Sequence, residues 1–136
     1  MPDRHNIRLR GPWWGKTHQA KDDLSADGEA FKTTVPFLWH DQIPNNFIGT
    51  VGLTRKFNCS SGMSGAREVW LTISSLTVPA ELLLNGSTMG LFDAQSDIEL
   101  PVSSCLKPFN ELQILLSVSG MPPKILLGDV AVEIVQ

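Results

Sequence analysis

The 136-residue chain is poor in cysteine, modest in charge and free of long apolar runs, and each scarcity removes a class of protein. Its two cysteines, Cys59 and Cys105, lie far apart without the short paired spacing of a zinc or thioredoxin-like site, so both are expected to be reduced and half-buried. The opening "MPDRHNIRLRGPWW" has no apolar core of a secretory signal. Runs such as "LLL" at 82–84 fall far short of the roughly 20 residues that cross a bilayer. A cytoplasmic location with no membrane partner is the expectation. Asn58-Cys59-Ser60 and Asn85-Gly86-Ser87 match the glycosylation sequon, which matters only in a secretory setting. A formal net charge of -3 argues against a nucleic-acid partner. Arg4, Arg8, Arg10, Lys16 and Lys21 are therefore read as a solvated arm rather than a nucleic-acid platform built with Trp13 and Trp14. Catalytic signatures are missing as well: there is no G-x-S-x-G elbow, no H-E-x-x-H and no Gly-Lys-Ser/Thr phosphate loop.

What the sequence does have is a period of two. Apolar residues make up 42% of the chain, enough for one domain of this length to bury roughly two-thirds of its unfolded surface without a covalent staple. Val51, Leu53 and Phe57 alternate with Thr50, Thr54, Lys56 and Asn58. The alternation returns at Val69, Leu71 and Ile73, at Ile98, Leu100 and Val102, at Leu112, Ile114, Leu116 and Val118, and at Val130, Val132 and Ile134. Half-buried strands read this way, because successive side chains leave a strand on opposite faces. Past residue 45 no segment sustains a helical spacing, and Pro and Gly punctuate the gaps. The expectation is a single all-β domain over 1–136, a two-sheet antiparallel jelly-roll sandwich, with a loop-rich segment over about 1–45. Lys16 to Phe31 reads as polar loop with a helical turn near "DGEAF". The predicted core is Leu53, Phe57, Val69, Leu71, Ile73, Leu82, Leu84, Ile98, Leu100, Leu112, Ile114, Leu116, Val130 and Val132.

The most legible turn lies in "AELLLNGSTMGLF". Asn-Gly favours a two-residue type I′ hairpin turn, since both central residues need positive φ. Residues 80–84 and 87–92 are thus predicted to pair as antiparallel neighbours, and Gly90 to mark a bulge or close backbone approach.

Taken in order, "FIGTVGLTRKF", "VWLTISSLTVPAELLLNGSTMG" and "DIELPVSSCLKPFNELQI" resemble the N-terminal jelly-roll domain of family 2 glycoside hydrolases, the galactose-binding-like domain of β-galactosidases and β-glucuronidases. Arg55 and Phe57, then Leu84, Asn85, Gly86 and Gly90, then Leu106, Lys107, Asn110, Leu112 and Ile114 stand at matching positions. Two departures stand out: "LFDAQS" replaces the family's longer Gly-rich loop, and Phe109 stands near the usual Gly of the turn before Asn110. In that family the resemblance implies catalytic carboxylates about 5 Å apart on a (β/α)8 barrel of about 250 residues. The present 136 residues cannot hold such a barrel, and the chain is expected to be non-catalytic and to need no cofactor.

The reading that follows is a non-catalytic carbohydrate-binding-like module whose glycan affinity is lost or no better than millimolar. The alternative is a β-sandwich that docks another protein chain. For a sugar site the candidates are Trp39 with His40 and Asp41, and then Trp14, because an exposed indole flanked by hydrogen-bonding groups supplies both a stacking face and polar specificity. His40-Asp41 with the distant His5 and His18 lacks metal-ligand spacing, and no metal is expected there. Asp93, Asp97 and Glu99 are oxygen ligands suited to calcium, but no Gly-rich ligand loop accompanies them, and they read as a solvated face. Trp70, out of phase with Val69 and Leu71, faces either solvent or the second sheet.

Overall fold

The alternating segments form strands in a computed structural model that describes residues 4–19, 29–38, 43, 47–59, 65–119 and 124–135. In chain order they are β1 (Arg4–Arg8), β2 (Trp13–Gln19), β3 (Phe31–Thr33), β4 (Phe37–Leu38), β5 (Ile48–Asn58), β6 (Glu68–Ile73), β7 (Ala80–Leu84), β8 (Ser87–Phe92), β9 (Ile98–Pro101), β10 (Phe109–Ser119), β11 (Ile125–Leu127) and β12 (Val130–Val135). Pairing is antiparallel throughout. One sheet has the order β1-β12-β6-β9, the other β3-β2-β5-β10-β7-β8, and β11-β4 forms a small two-stranded ribbon beside them. The chain is thus an all-β sandwich, with that ribbon added to the two expected sheets. Among the described residues no helix is long and apolar enough to cross a membrane.

The sandwich closes on the residues whose parity points inward. Val51 and Leu53 of β5, Val69, Leu71 and Ile73 of β6, Leu82 and Leu84 of β7, Leu112, Ile114 and Leu116 of β10, and Val130 and Val132 of β12 are all buried. Phe57 and Leu100, also expected inside, are half-buried and pack against the edge of that cluster. β5 and β10 run side by side for eleven residues each, from Phe109 opposite Asn58 to Ser119 opposite Ile48, and form the spine of the larger sheet.

The segment expected to be loop-rich, about 1–45, also carries strands. Its described part contributes four strands, and Lys16–Gln19 continue β2 rather than leave it. β2 sends Trp13, Gly15 and Thr17 inward and Trp14, Lys16 and His18 outward, so its buried face is one indole, one bare backbone and one hydroxyl. Such a face carries no apolar alternation for the eye to find. Gly15 is required there: a Cβ at that position would lie 2.5 Å from two ring atoms of Phe31, the buried aromatic of β3. Phe31 in turn stacks on Phe37 of β4, with ring centroids 6.5 Å apart. The helical turn expected near "DGEAF" falls partly outside the described residues; Glu29 and Ala30 have no regular structure and Phe31 opens β3. Trp13 is fully buried and donates from Nε1 to the Leu9 carbonyl at 2.6 Å, so its one polar atom is satisfied inside the core.

The hairpin forms as predicted. Asn85 and Gly86 have φ of 54° and 84°, the positive pair that a type I′ turn demands. The register between β7 and β8 shifts where Leu82 faces Gly90 and Leu83 faces Thr88, which leaves Met89 as the extra residue of a bulge beside Gly90. "LFDAQS" returns to the body of the protein through Gln95, whose N–H and C=O exchange two 2.9 Å hydrogen bonds with Leu76.

Candidate functional site

The two asparagines of the resemblance are structural. Asn110 is 3% exposed. Its Oδ1 accepts from the Lys107 N–H at 2.9 Å and from Asn85 Nδ2 at 3.1 Å, while its Nδ2 donates to the Lys107 carbonyl at 2.8 Å. This side chain closes the turn before β10, beside Phe109, which is 78% exposed. Asn85 completes the lock, accepting from the Glu111 N–H at 2.8 Å and donating to the Cys105 carbonyl at 3.2 Å. The Asn-Gly turn, the 3-10 turn at Ser103–Cys105 and the start of β10 are therefore held by one polar cluster. Cys59 and Cys105 are not joined in a disulfide, and both are half-buried.

The groups that do converge in solvent lie on the outer face of the four-stranded sheet. Register puts Asn6, Glu133, Trp70 and Pro101 in one row across β1, β12, β6 and β9, and Arg8, Ala131, Thr72 and Glu99 in the next. Residues directly opposite share a face, so these side chains stand together above the sheet. A cleft of about 290 Å³ opens over them, lined by Asn6, Arg8, Thr72 and Glu133 and reaching Asp97, Glu99 and Asp129 at the strand ends. Trp70 stands directly across from Glu133, outside the lining of the cleft, half-buried, with Nε1 donating to Glu68 Oε2 at 3.0 Å. The open choice about Trp70 thus resolves toward the outer, solvent-facing side. Four carboxylates and one guanidinium give the cleft a negative balance and many hydrogen-bond acceptors.

Sequence reasoning had named other residues. Trp39, His40 and Asp41 lie outside the described residues. Trp14 is 52% exposed, on the outer face of the six-stranded sheet between Lys32 of β3 and Thr54 of β5, and so lies on the opposite side of the sandwich from Trp70. Asp97 and Glu99 share the cleft, whereas Asp93 lines a separate groove beside Leu91 and Phe92. Among the described residues no group of three or more His, Cys, Asp or Glu side chains is arranged to hold a metal ion. The cleft itself was missed because its walls come from both ends of the chain. The one local signal was the outward parity of Trp70 against Val69 and Leu71.

A second cleft, of about 410 Å³, opens between β1 of one sheet and the end of β5 in the other, lined by Ile7, Arg8, Leu9, Arg55, Lys56, Phe57 and Asn58. Arg55 has the parity of Val51 and Leu53. Its Nη1 donates to the Lys56 carbonyl at 2.6 Å, and its buried Nε has no hydrogen-bond partner.

No protein-family model matches the chain, and no curated protein matches it. Solved structures do. A β-glucuronidase from Faecalibacterium prausnitzii is similar over 97% of this chain and 31% of its own, with a TM-score of 0.79 at 16% identity. A β-glucuronidase from Ruminococcus gnavus in complex with uronic deoxynojirimycin matches over 97% of this chain and 29% of its own, with a TM-score of 0.77 at 13% identity. The same enzyme in complex with D-glucuronic acid gives a TM-score of 0.74 at 14% identity. The chain spans less than a third of the length of these structures. At such identities the likeness establishes the fold, that of the N-terminal jelly-roll domain of family 2 glycoside hydrolases.

Proposed function

We propose that this domain is a non-catalytic carbohydrate-binding module that takes neutral sugars in the cleft on the outer face of the four-stranded sheet. The observation that carries this reading is the convergence of Asn6, Arg8, Thr72, Glu99 and Glu133 on one sheet face, with Trp70 directly across from Glu133 on that face. A sugar presents hydroxyls around an apolar ring face, and acceptor carboxylates, an amide and a guanidinium match the hydroxyls while an indole matches the ring. Four carboxylates against one arginine disfavour a uronate at this position, because like charges at short range repel in a partly dry cleft. Similarity to one segment of glucuronidases supports a carbohydrate-related role and a role without catalysis. Fold by itself does not confer a reaction.

A second reading rests on the opposite face. Trp14, Leu83, Leu115 and Leu91 project from the outer side of the six-stranded sheet, and Leu91 is 80% exposed. Thr54, Gln113 and Glu81 stand between them, and exposed apolar side chains set among polar ones suit a protein partner.

Titration of galactosides, glucosides, glucuronides and neutral oligosaccharides into isotopically labelled protein, followed by amide and indole shifts, separates the two. The glycan reading expects saturable shifts at Trp70 and Glu133 that vanish in Trp70→Ala. Silence across the panel refutes it and transfers the case to the Trp14 face.

A further inference from the structure

The outer face of the six-stranded sheet carries both signs of charge, and they are sorted by strand. Register sets Lys32, Trp14, Thr54, Gln113, Leu83 and Thr88 in one row from β3 to β8. On one side of that row lie Lys16, Gly52, Leu115, Glu81 and Leu91, from β2 to β8. On its other side Lys56 of β5 stands directly across from Glu111 of β10. The lysines of this face thus belong to β3, β2 and β5, and the glutamates to β10 and β7. Among the described residues no ion pair engages Lys16, Lys32, Lys56, Glu81 or Glu111, even where Lys56 and Glu111 are opposed. Trp14, 52% exposed, stands among the lysines without a ring contact to any of them.

A face with one sign of charge on each flank is complementary to itself. Strand order sets the positions: β5 and β10 are central, β2 and β7 flank them, and β3 and β8 are the edges. A two-fold axis lying along the strands between β5 and β10 would bring β2 of one copy over β7 of the other, and β5 over β10, with the rows preserved. Lys16 then meets the partner's Glu81, Lys56 the partner's Glu111, Trp14 the partner's Leu83 and Thr54 the partner's Gln113. Each contact occurs twice, as an isologous interface requires. The alternative two-fold, running across the strands, would set β2 on β2 and lysine against lysine, so charge selects the first arrangement. At the centre of the face a Cβ on Gly52 would stand 3.3 Å from Leu115 Cδ2. Leu115 therefore lies over bare backbone, and the surface beside the axis stays low enough for close approach. Packed sheets keep their strands within about 30° of each other, an offset that the length of Lys and Glu side chains absorbs near the axis.

We infer that this face docks a second copy of the chain, face to face across a two-fold axis between β5 and β10. The inference rests on the reading that the Trp14 face takes a protein partner, and it names that partner. The cleft over the four-stranded sheet lies on the other side of the sandwich and stays open in each copy.

Sedimentation velocity of the full chain across a concentration series tests it, with a dissociation constant on the order of 10 μM expected for a face this polar. Two double variants carry the decision. Lys16→Glu with Lys56→Glu sets glutamate against glutamate across the axis, and Glu81→Lys with Glu111→Lys sets lysine against lysine; each alone should weaken dimerisation by about tenfold or more. Mixed in equal amounts, the two variants should dimerise as tightly as the unaltered chain, because each then faces its complement. Trp14→Ala should weaken the dimer and Trp70→Ala should leave it unchanged. The inference is overturned if the unaltered chain stays monomeric throughout, if its dimer is disturbed by neither double variant, or if the mixture of variants stays monomeric. A monomeric chain would end self-docking and leave the protein-partner reading standing, whereas saturable shifts at Trp14 in the glycan titration would end that reading.

Discussion

Replacement of Asn110 by alanine tests whether the sequence motif around the second turn is structural. The side chain is almost fully buried and makes three hydrogen bonds of 3.1 Å or shorter, two to the backbone of Lys107 and one to Asn85 Nδ2. Alanine removes all three and strands the Lys107 N–H and C=O, whereas Asn85 Nδ2 keeps the Cys105 carbonyl as an acceptor. With a net value of about 1 kcal/mol for each hydrogen bond and an added cost for stranded buried groups, the expected loss is roughly 2–4 kcal/mol. For a domain of this length that corresponds to a fall in melting temperature of roughly 8 °C or more. Urea denaturation followed by tryptophan fluorescence measures it, with an unchanged slope as the check that the comparison is two-state. Asn110→Asp separates geometry from size. It keeps the acceptor for Lys107 and Asn85 but places a carboxylate oxygen against the Lys107 carbonyl. Burial raises the pKa of such a carboxyl in the folded state above its unfolded value, so its deficit is full at neutral pH and shrinks as pH falls and the group becomes a donor. A loss below about 1 kcal/mol in Asn110→Ala would refute the claim that this side chain closes the turn.

Two further substitutions bear on the backbone. Gly86→Val should destabilise by roughly 1 kcal/mol or more through its φ of 84° alone, because a Cβ there meets nothing within 4 Å; an unmoved denaturation midpoint would remove the type I′ assignment. Gly15→Ala should cost about 1–3 kcal/mol by driving a methyl into the Phe31 ring, and Gly15→Ala with Phe31→Leu should recover part of that loss by thermal melt, whereas strict additivity would argue against the contact.

The alternation along β5, β6, β7, β10 and β12 was legible because side-chain parity is a local property: every second residue of "VWLTI" or "NELQILLSV" faces the same way wherever the strand is placed. The Asn-Gly turn was legible for a similar reason, since the φ values it needs are set by two residues. Sequence order also carried the resemblance that identified the fold. The N-terminal strands were hidden. β2 presents Trp13, Gly15 and Thr17 to the core, and a bare glycine reads as an inward position only once Phe31 is known to lie across it. The roles of Asn85 and Asn110 were hidden too, because a polar residue in a turn looks solvated until its partners, 25 positions apart, meet.

Strand parity and turn chemistry were thus decided by the sequence acting over a few residues, through steric limits on φ and the pleat of the chain. Apart from the β7–β8 hairpin, which strands became neighbours was decided by tertiary structure. β1 pairs with β12, Arg4 opposite Val135, so both clefts depend on strands that are remote in the chain. Those pairings form because burying two apolar faces against each other outweighs the entropy of closing long loops, and that balance belongs to the whole chain rather than to any segment of it.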